Sequence, residues 1–172
     1  TPSRQRSEYY GNYIEWIKSD NINTPQFTLT QAEEYLSEAG AKVGRMAPNG
    51  SVLVTCIAGT PSCIGNIAMA DRDVTFNQQI NAFVPGKEIS QKIFFTQILF
   101  CKQLVRQAST NSMKGMVSKG KFSEIKILVP PKDQQSRFDE IFDKVANMRT
   151  QYQMSALELN NQLKALTQKY FS

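Results

Sequence analysis

Glu124-Ile125-Lys126 is the one short run in this chain with the spacing of a reactive centre. In a metal-dependent nuclease, Glu-x-Lys pairs a carboxylate ligand with a cation, and Asp71 or Asp73 would have to complete the metal shell. A three-residue pattern of this kind arises often by chance, and no motif places a second carboxylate beside it. Other chemistries have less support. The chain contains no His, which removes imidazole-based triads and nearly excludes a zinc site. Cys56, Cys63 and Cys101 are odd in number and lack Cys-x-x-Cys spacing, so they read as small buried hydrophobes. There is no phosphate-cradling P-loop, no dinucleotide Gly-x-Gly-x-x-Gly turn and no cofactor motif of an adenine methyltransferase. The sequence therefore describes a binder, with no catalytic residue, metal or cofactor of its own.

Charge indicates what it binds. The net charge is +5. From Asp133 onward, Arg137, Lys144, Arg149, Lys164 and Lys169 cancel Asp133, Asp139, Glu140, Asp143 and Glu158, so all of the excess lies upstream. Lys114, Lys119, Lys121, Lys126 and Lys132 face only Glu124 in their stretch. A basic domain joined to a neutral arm suggests an anionic partner for the domain and a protein partner for the arm. A solvated lysine-rich surface is the plainer reading of the same charges.

The elements that would position these groups form an α+β pattern, a mixed globular domain of short strands and helices at 1–131 followed by one long helix at 132–172. Tyr13 to Lys18 reads as a short strand, with Trp16 as a core anchor rather than a base-stacking platform. Thr30 and Glu33 stand at capping-box spacing and predict a helix that Gly40 or Gly44 ends, with Ala32, Tyr35, Leu36 and Ala39 buried. Pro48-Asn49-Gly50 is a turn before a buried strand over 52–58, and Gly59 to Ser62 is a loop. Strands follow at 64–69 and 74–84, the latter with an amide-rich middle at Asn77, Gln78 and Gln79 that reads as structural. Ser90 caps a helix through Gln107. Ala108 to Lys121 is a long basic loop of the kind that often binds, and Ile125 to Val129 is a last strand.

Pro130-Pro131 then stops the domain, because neither residue donates an N–H and each disfavours helix in the residue before it. Beyond them neither Gly nor Pro occurs. Phe138, Val145, Tyr152, Leu159 and Leu166 recur every seven residues, and Ile141, Met148, Leu163 and Tyr170 form a second row that drifts by one, as on a nearly straight helix. Such a seam needs a partner helix. No apolar run approaches membrane-spanning length, and the polar start lacks a signal-peptide pattern, so the cytoplasm is the expected compartment.

Taken together, several of these stretches are fairly specific. They are Thr1-Pro2-Ser3-Arg4 with Tyr10-Gly11, Ile14 to Asp20, Ala41-Lys42 with Gly50 to Val54, the Gly59 to Gly65 loop, and Asn77 to Ala82. Phe122 to Ile127 and Val129-Pro130-Pro131 with Gln134 and Gln135 complete the set. In this order the chain resembles the specificity subunit of type I restriction-modification systems, specifically one target recognition domain with its following spacer helix. Lys132-Asp133 departs from the family's usual Leu and Glu but keeps a helix start.

The resemblance implies double-stranded DNA as a partner, one domain reading one half of a bipartite target, and helices that pack antiparallel as a spacer. It further implies that methylation and cleavage belong to separate modification and restriction subunits, which bring S-adenosylmethionine, ATP and Mg²⁺. A chain with one such domain would be a half-subunit acting as a dimer or part of a two-domain subunit. On this reading Lys114, Lys119 and Lys121 are the candidates for phosphate contact, and Thr60, Ser62, Arg72 and Asn111 for base edges. The competing class is a protein-interaction adaptor that uses the arm and reads no DNA.

Overall fold

The computed structural model describes residues 1–24, 26–109 and 116–171. The chain divides into two compact units, Thr1–Lys132 and Asp133–Ser172. It is α+β, as the sequence indicates. In chain order the first unit contains β1 (Tyr10–Ile17), β2 (Tyr35–Leu36), α1 (Glu38–Val43), β3 (Arg45–Ala47) and β4 (Val52–Thr55). It continues with β5 (Ile67–Met69), β6 (Val74–Phe76), β7 (Ile80–Phe83), α2 (Gln91–Phe100), α3 (Lys102–Gln107) and α4 (Lys119–Ser123). The second unit is α5 (Lys132–Phe171), whose first residue closes the first unit.

Two sheets share one core. The first has the order β2-β1-β6-β3 and the second β5-β4-β7. β1 runs parallel to β6, with Trp16 opposite Thr75 and Ile17 opposite Phe76, while the other pairings between these strands are antiparallel. Val52, Leu53 and Val54 have no exposed surface, which explains why β4 is apolar throughout instead of alternating: both of its faces are covered. Ile17, Leu53, Val74, Phe76 and Ile80 meet in a single cluster, and each of these side chains contributes about 2 kcal/mol by leaving water. Trp16 is buried as well.

Several boundaries differ from those the sequence suggests, each for a tertiary reason. The helix expected from Thr30 begins at Glu38 instead. Residues 32–36 run alongside β1, where the Trp16 N–H donates to the Glu34 carbonyl at 2.8 Å and the Ala32 N–H to Glu15 Oε1 at 2.8 Å. Ser37 is the true cap, its Oγ accepting from the Gly40 N–H at 3.1 Å. A Cβ on Gly40 would lie 2.0 Å from the Tyr9 carbonyl oxygen, so only glycine lets α1 approach the start of β1.

The strand expected over 74–84 is two strands in two sheets, and its amide-rich middle is the crossing. There the Gln79 N–H donates to Asn77 Oδ1 at 2.9 Å, and the Gln79 carbonyl accepts from the N–H groups of Cys56 and Ile57 at 2.7 and 3.0 Å. The helix expected over 90–107 breaks at Cys101, whose φ of −111° and ψ of 40° are not helical. Residues 125–129 form no strand. The Gln97 side chain there takes the place of a neighbouring backbone, bonding both the N–H and the carbonyl of Leu128 at 2.8 Å. Among the described residues, no helix is long and apolar enough to cross a membrane.

The second unit is a single 40-residue helix, about 60 Å long. Val145, Met148, Tyr152, Leu159, Leu163, Leu166 and Tyr170 are all exposed along it, as is Ile141, while Phe138 is half-buried and lies 6.3 Å from the Phe142 ring. Val145, Met148, Tyr152 and Ala156 border an apolar hollow on this helix.

Candidate nucleic-acid interface

The segment between β4 and β5 leaves the core after Ala58 and returns at Ile64, with a 3₁₀ turn at Pro61–Cys63 between them. Thr60 and Ser62 are exposed on this loop. Its shape is imposed from α3. Lys102 Nζ donates to the Ser62 carbonyl at 2.6 Å, Arg106 donates to the same oxygen at 2.8 Å, and Lys102 also bonds Asn66 Oδ1. Two cations on one carbonyl fix the loop's backbone and leave its hydroxyls pointing to solvent or a ligand. Where the loop closes, Gly65 has φ +80°, and a Cβ there would meet Lys102 Cγ at 2.8 Å. Glycine is required both for that conformation and for the approach to α3.

Lys102 and Arg106 stand four residues apart, on one face of a helix. Burial, and then the neighbouring Arg106, lower the Lys102 pKa. Beyond α3, the described chain resumes at Met116, which bridges Ile57, and the Val117 N–H donates to the Cys56 carbonyl at 2.8 Å. Ser118 then caps α4 through the Lys121 N–H at 3.3 Å, which places Lys119 and Lys121 on a short helix rather than in the loop expected there. The loop of residues 57–64 is thus flanked by α3 on one side and by the chain leading into α4 on the other. Lys102, Arg106, Lys119 and Lys121 have no carboxylate partner among the described residues. Asn111 and Lys114, named from the sequence, lie outside the described residues.

Arg72 has a different position. Its Nε and one terminal nitrogen grip both oxygens of Glu15, the latter at 2.9 Å, and the same nitrogen reaches the Thr30 carbonyl at 3.1 Å. The other terminal nitrogen bonds Asp71 at 2.6 Å and the Leu29 carbonyl at 3.5 Å. All five guanidinium N–H groups are occupied inside the fold. Arg72, named from the sequence as a candidate at base edges, here anchors residues 29–32 to β1. The Arg72 guanidinium holds the Glu15 carboxyl below its usual range against the opposing effect of burial.

Among the described residues, no three His, Cys, Asp or Glu side chains gather to hold a metal, so Glu124 does not join Asp71 and Asp73. Lys102 and Arg106 do not stand out in the sequence, because the periodicity of their helix marks only its apolar face. Their four-residue spacing beside Gly65 is the available signal.

The chain belongs to the type I restriction modification DNA specificity domain family, whose model matches residues 1–165. It is 30% identical over 138 residues to the type I restriction enzyme HindI specificity subunit of Haemophilus influenzae, a match that covers 77% of this chain and 29% of that protein. The fold is shared with a chain of a type I R-M system solved for its complex assembly and conformational transition, at TM-score 0.71 and 15% identity over 98% of this chain and 40% of that one. It is also shared with the HsdS subunit from Thermoanaerobacter tengcongensis, at TM-score 0.61 and 19% identity over 95% of this chain and 38% of that one. The chain spans less than half the length of each of these relatives. The resemblance drawn from the sequence motifs is therefore borne out.

Proposed function

We propose that this chain is a sequence-specific double-stranded DNA recognition module of a type I restriction-modification complex, reading one half of a bipartite target. Lys119 and Lys121, with Lys114, contact phosphates, and Arg106 adds to them from α3. Thr60 and Ser62 reach base edges from the braced loop, with Asn111 as a further base contact. Arg72 is left out of this set. The helix pairs antiparallel, through Phe138 to Tyr170, with another such helix, either of a second copy or of a second recognition domain. Methylation and cleavage are the work of partner modification and restriction subunits, in the cytoplasm.

One observation carries the reading. Two cations without carboxylate partners, Lys102 and Arg106, hold the backbone of an exposed polar loop. Phosphate contacts position such a module and base contacts specify its site. The adaptor alternative gives this charge no task.

Salt dependence tests it. The observed affinity for duplex DNA falls with salt in proportion to the phosphates neutralised, and each phosphate that is no longer neutralised lowers the slope by about 0.9. Replacing Lys114, Lys119 and Lys121 by Ala is expected to reduce the slope by about 2 to 3. Thr60→Ala with Ser62→Ala is expected to leave the slope intact and change the sequences selected from a random duplex pool. An unchanged slope removes the lysines from the interface, and the absence of any selection, with partner subunits added, favours the adaptor.

A further inference from the structure

The first unit also contains a cavity of about 670 Å³, which shares only Lys119, at its rim, with the proposed DNA contacts. Arg45 and Met46 of β3, residues 81–83 of β7, Phe94 of α2 and Phe122 of α4 are among its walls. Both strands are outermost in their sheets, β3 at the end of the order β2-β1-β6-β3 and β7 at the end of β5-β4-β7.

The register shows which backbone groups of β7 face outward. The Thr55 N–H donates to the Asn66 carbonyl and the Thr55 carbonyl accepts from the Gly65 N–H, so Thr55 is turned toward the β5 side. By alternation Leu53 faces β5 as well, and Val52 and Val54 bond their β7 partners Phe83 and Asn81. The N–H and carbonyl of Ala82 therefore point away from the sheet, and no described residue bonds either of them. An unpaired edge beside an apolar hollow is a template for strand addition.

The hollow has a sign as well as a shape. Phe83 and Phe94 stack along it with ring centroids 3.7 Å apart, and Met46 and Val84 stand more than half exposed at it, at 53% and 56%. Among the described residues, Arg45 and Lys119 are the only charged ones that line it, and no carboxylate does. Arg45 lies over the Phe76 ring at 4.6 Å and donates once, to the Asn77 carbonyl at 2.5 Å, which leaves the rest of its fork unoccupied among the described residues. A nucleic acid would find few groups here to read its bases, because the walls are mainly apolar and the Asn81 amide is engaged with the Cys56 thiol.

We propose that this cavity and the β7 edge form a docking site for an extended segment of a partner protein, carrying alternate apolar side chains and at least one carboxylate. The segment adds to β7 as a further strand, with its backbone on Ala82. Its apolar side chains enter the hollow, and its carboxylate meets Arg45 and Lys119. The β7 edge, the apolar walls and Arg45 stand apart from the DNA reading, and Lys119 is the one residue that both would use.

Selection of displayed random short peptides on the whole chain tests this, with the most enriched peptide synthesised as the probe. Enriched sequences are expected to alternate apolar residues and to carry Asp or Glu. Arg45→Glu and Lys119→Glu are each expected to weaken the probe by about tenfold or more. Bound probe is expected to slow hydrogen exchange at the Ala82 amide. Lys119 is exposed on a short helix, so its variant keeps the test decisive if Arg45→Glu fails to fold. Enrichment without a pattern, a probe indifferent to Lys119→Glu, or an Ala82 amide that exchanges at its original rate would overturn the docking site. Loss of duplex DNA binding in Arg45→Glu, with no peptide enriched, would assign the surface to nucleic acid and overturn it as well.

Discussion

The ion pair between Arg72 and Glu15 joins residues 57 positions apart and ties three segments together: β1, the turn before β6, and residues 29–32. Glu15 is nearly buried, and Arg72 is about one-third exposed, at 34%. Removing the carboxylate charge leaves a half-buried guanidinium with weaker partners, so Glu15→Gln is expected to cost about 2 kcal/mol at neutral pH. Because the folded-state pKa of Glu15 lies below its ordinary value, the clamp's contribution is complete above the usual carboxylate range, about pH 4. It is lost as pH falls through the lower, folded value. Denaturation midpoints followed downward from pH 7 should therefore show the difference between Glu15→Gln and the parent protein shrinking in acid. A difference that stays constant with pH would mean that the charge does not contribute. Glu34 shifts in the same direction, held down first by Lys18 and also by Arg4, so the parent protein should lose further stability in the same acid window.

At the scale of elements, what was legible in the sequence was whatever local pattern alone determines. α5 could be read because its apolar residues recur over the whole length of an uninterrupted run, and Pro130-Pro131 marked where it starts. β4 could be read because both of its faces are buried. Residues 30–36 could not, because the capping-box spacing of Thr30 and Glu33 is a local signal, whereas Glu15 and β1 draw this stretch out from a distance. The crossing at Asn77–Gln79 likewise depends on the Ile17, Cys56 and Ile57 backbone, which sequence order does not bring near. The candidate loop was found as a loop, but its braces were not, because Lys102 and Arg106 matter only once Gly65 brings α3 against it. The proposed pairing would cover the apolar row exposed from Ile141 to Tyr170, which matters because a lone helix gains little of its stability from propensity. Leu159→Pro costs about 3 kcal/mol or more within a helix. It is expected to abolish self-association or subunit assembly in sedimentation equilibrium while the fluorescence of Trp16, the chain's only tryptophan and buried in the first unit, stays native. Assembly that survives this change would remove the seam as the interface.

For the whole molecule, the proposed pairing makes the helix a spacer, and a spacer has a length that can be changed. Deleting seven residues from the middle of α5, from Gln151 to Leu157, keeps both apolar rows in phase, because seven is the repeat of the seam. It shortens the helix by about 10 Å, equal to about three base pairs at 3.4 Å per step. If two helices of this kind lie antiparallel and set the distance between two DNA-reading units, sites methylated by the reconstituted complex should keep both specific half-sites and lose about three base pairs of the undefined spacer between them. Half-sites related by symmetry would identify two copies of this chain as the reading units, and unrelated halves a second, different domain. Deleting five residues instead turns one half of the seam by about 140° relative to the other and is expected to prevent assembly, which separates an effect of length from one of tolerance to any deletion. A spacer that keeps its length in the seven-residue variant would leave the helix as an assembly device and place the measurement of distance elsewhere in the complex.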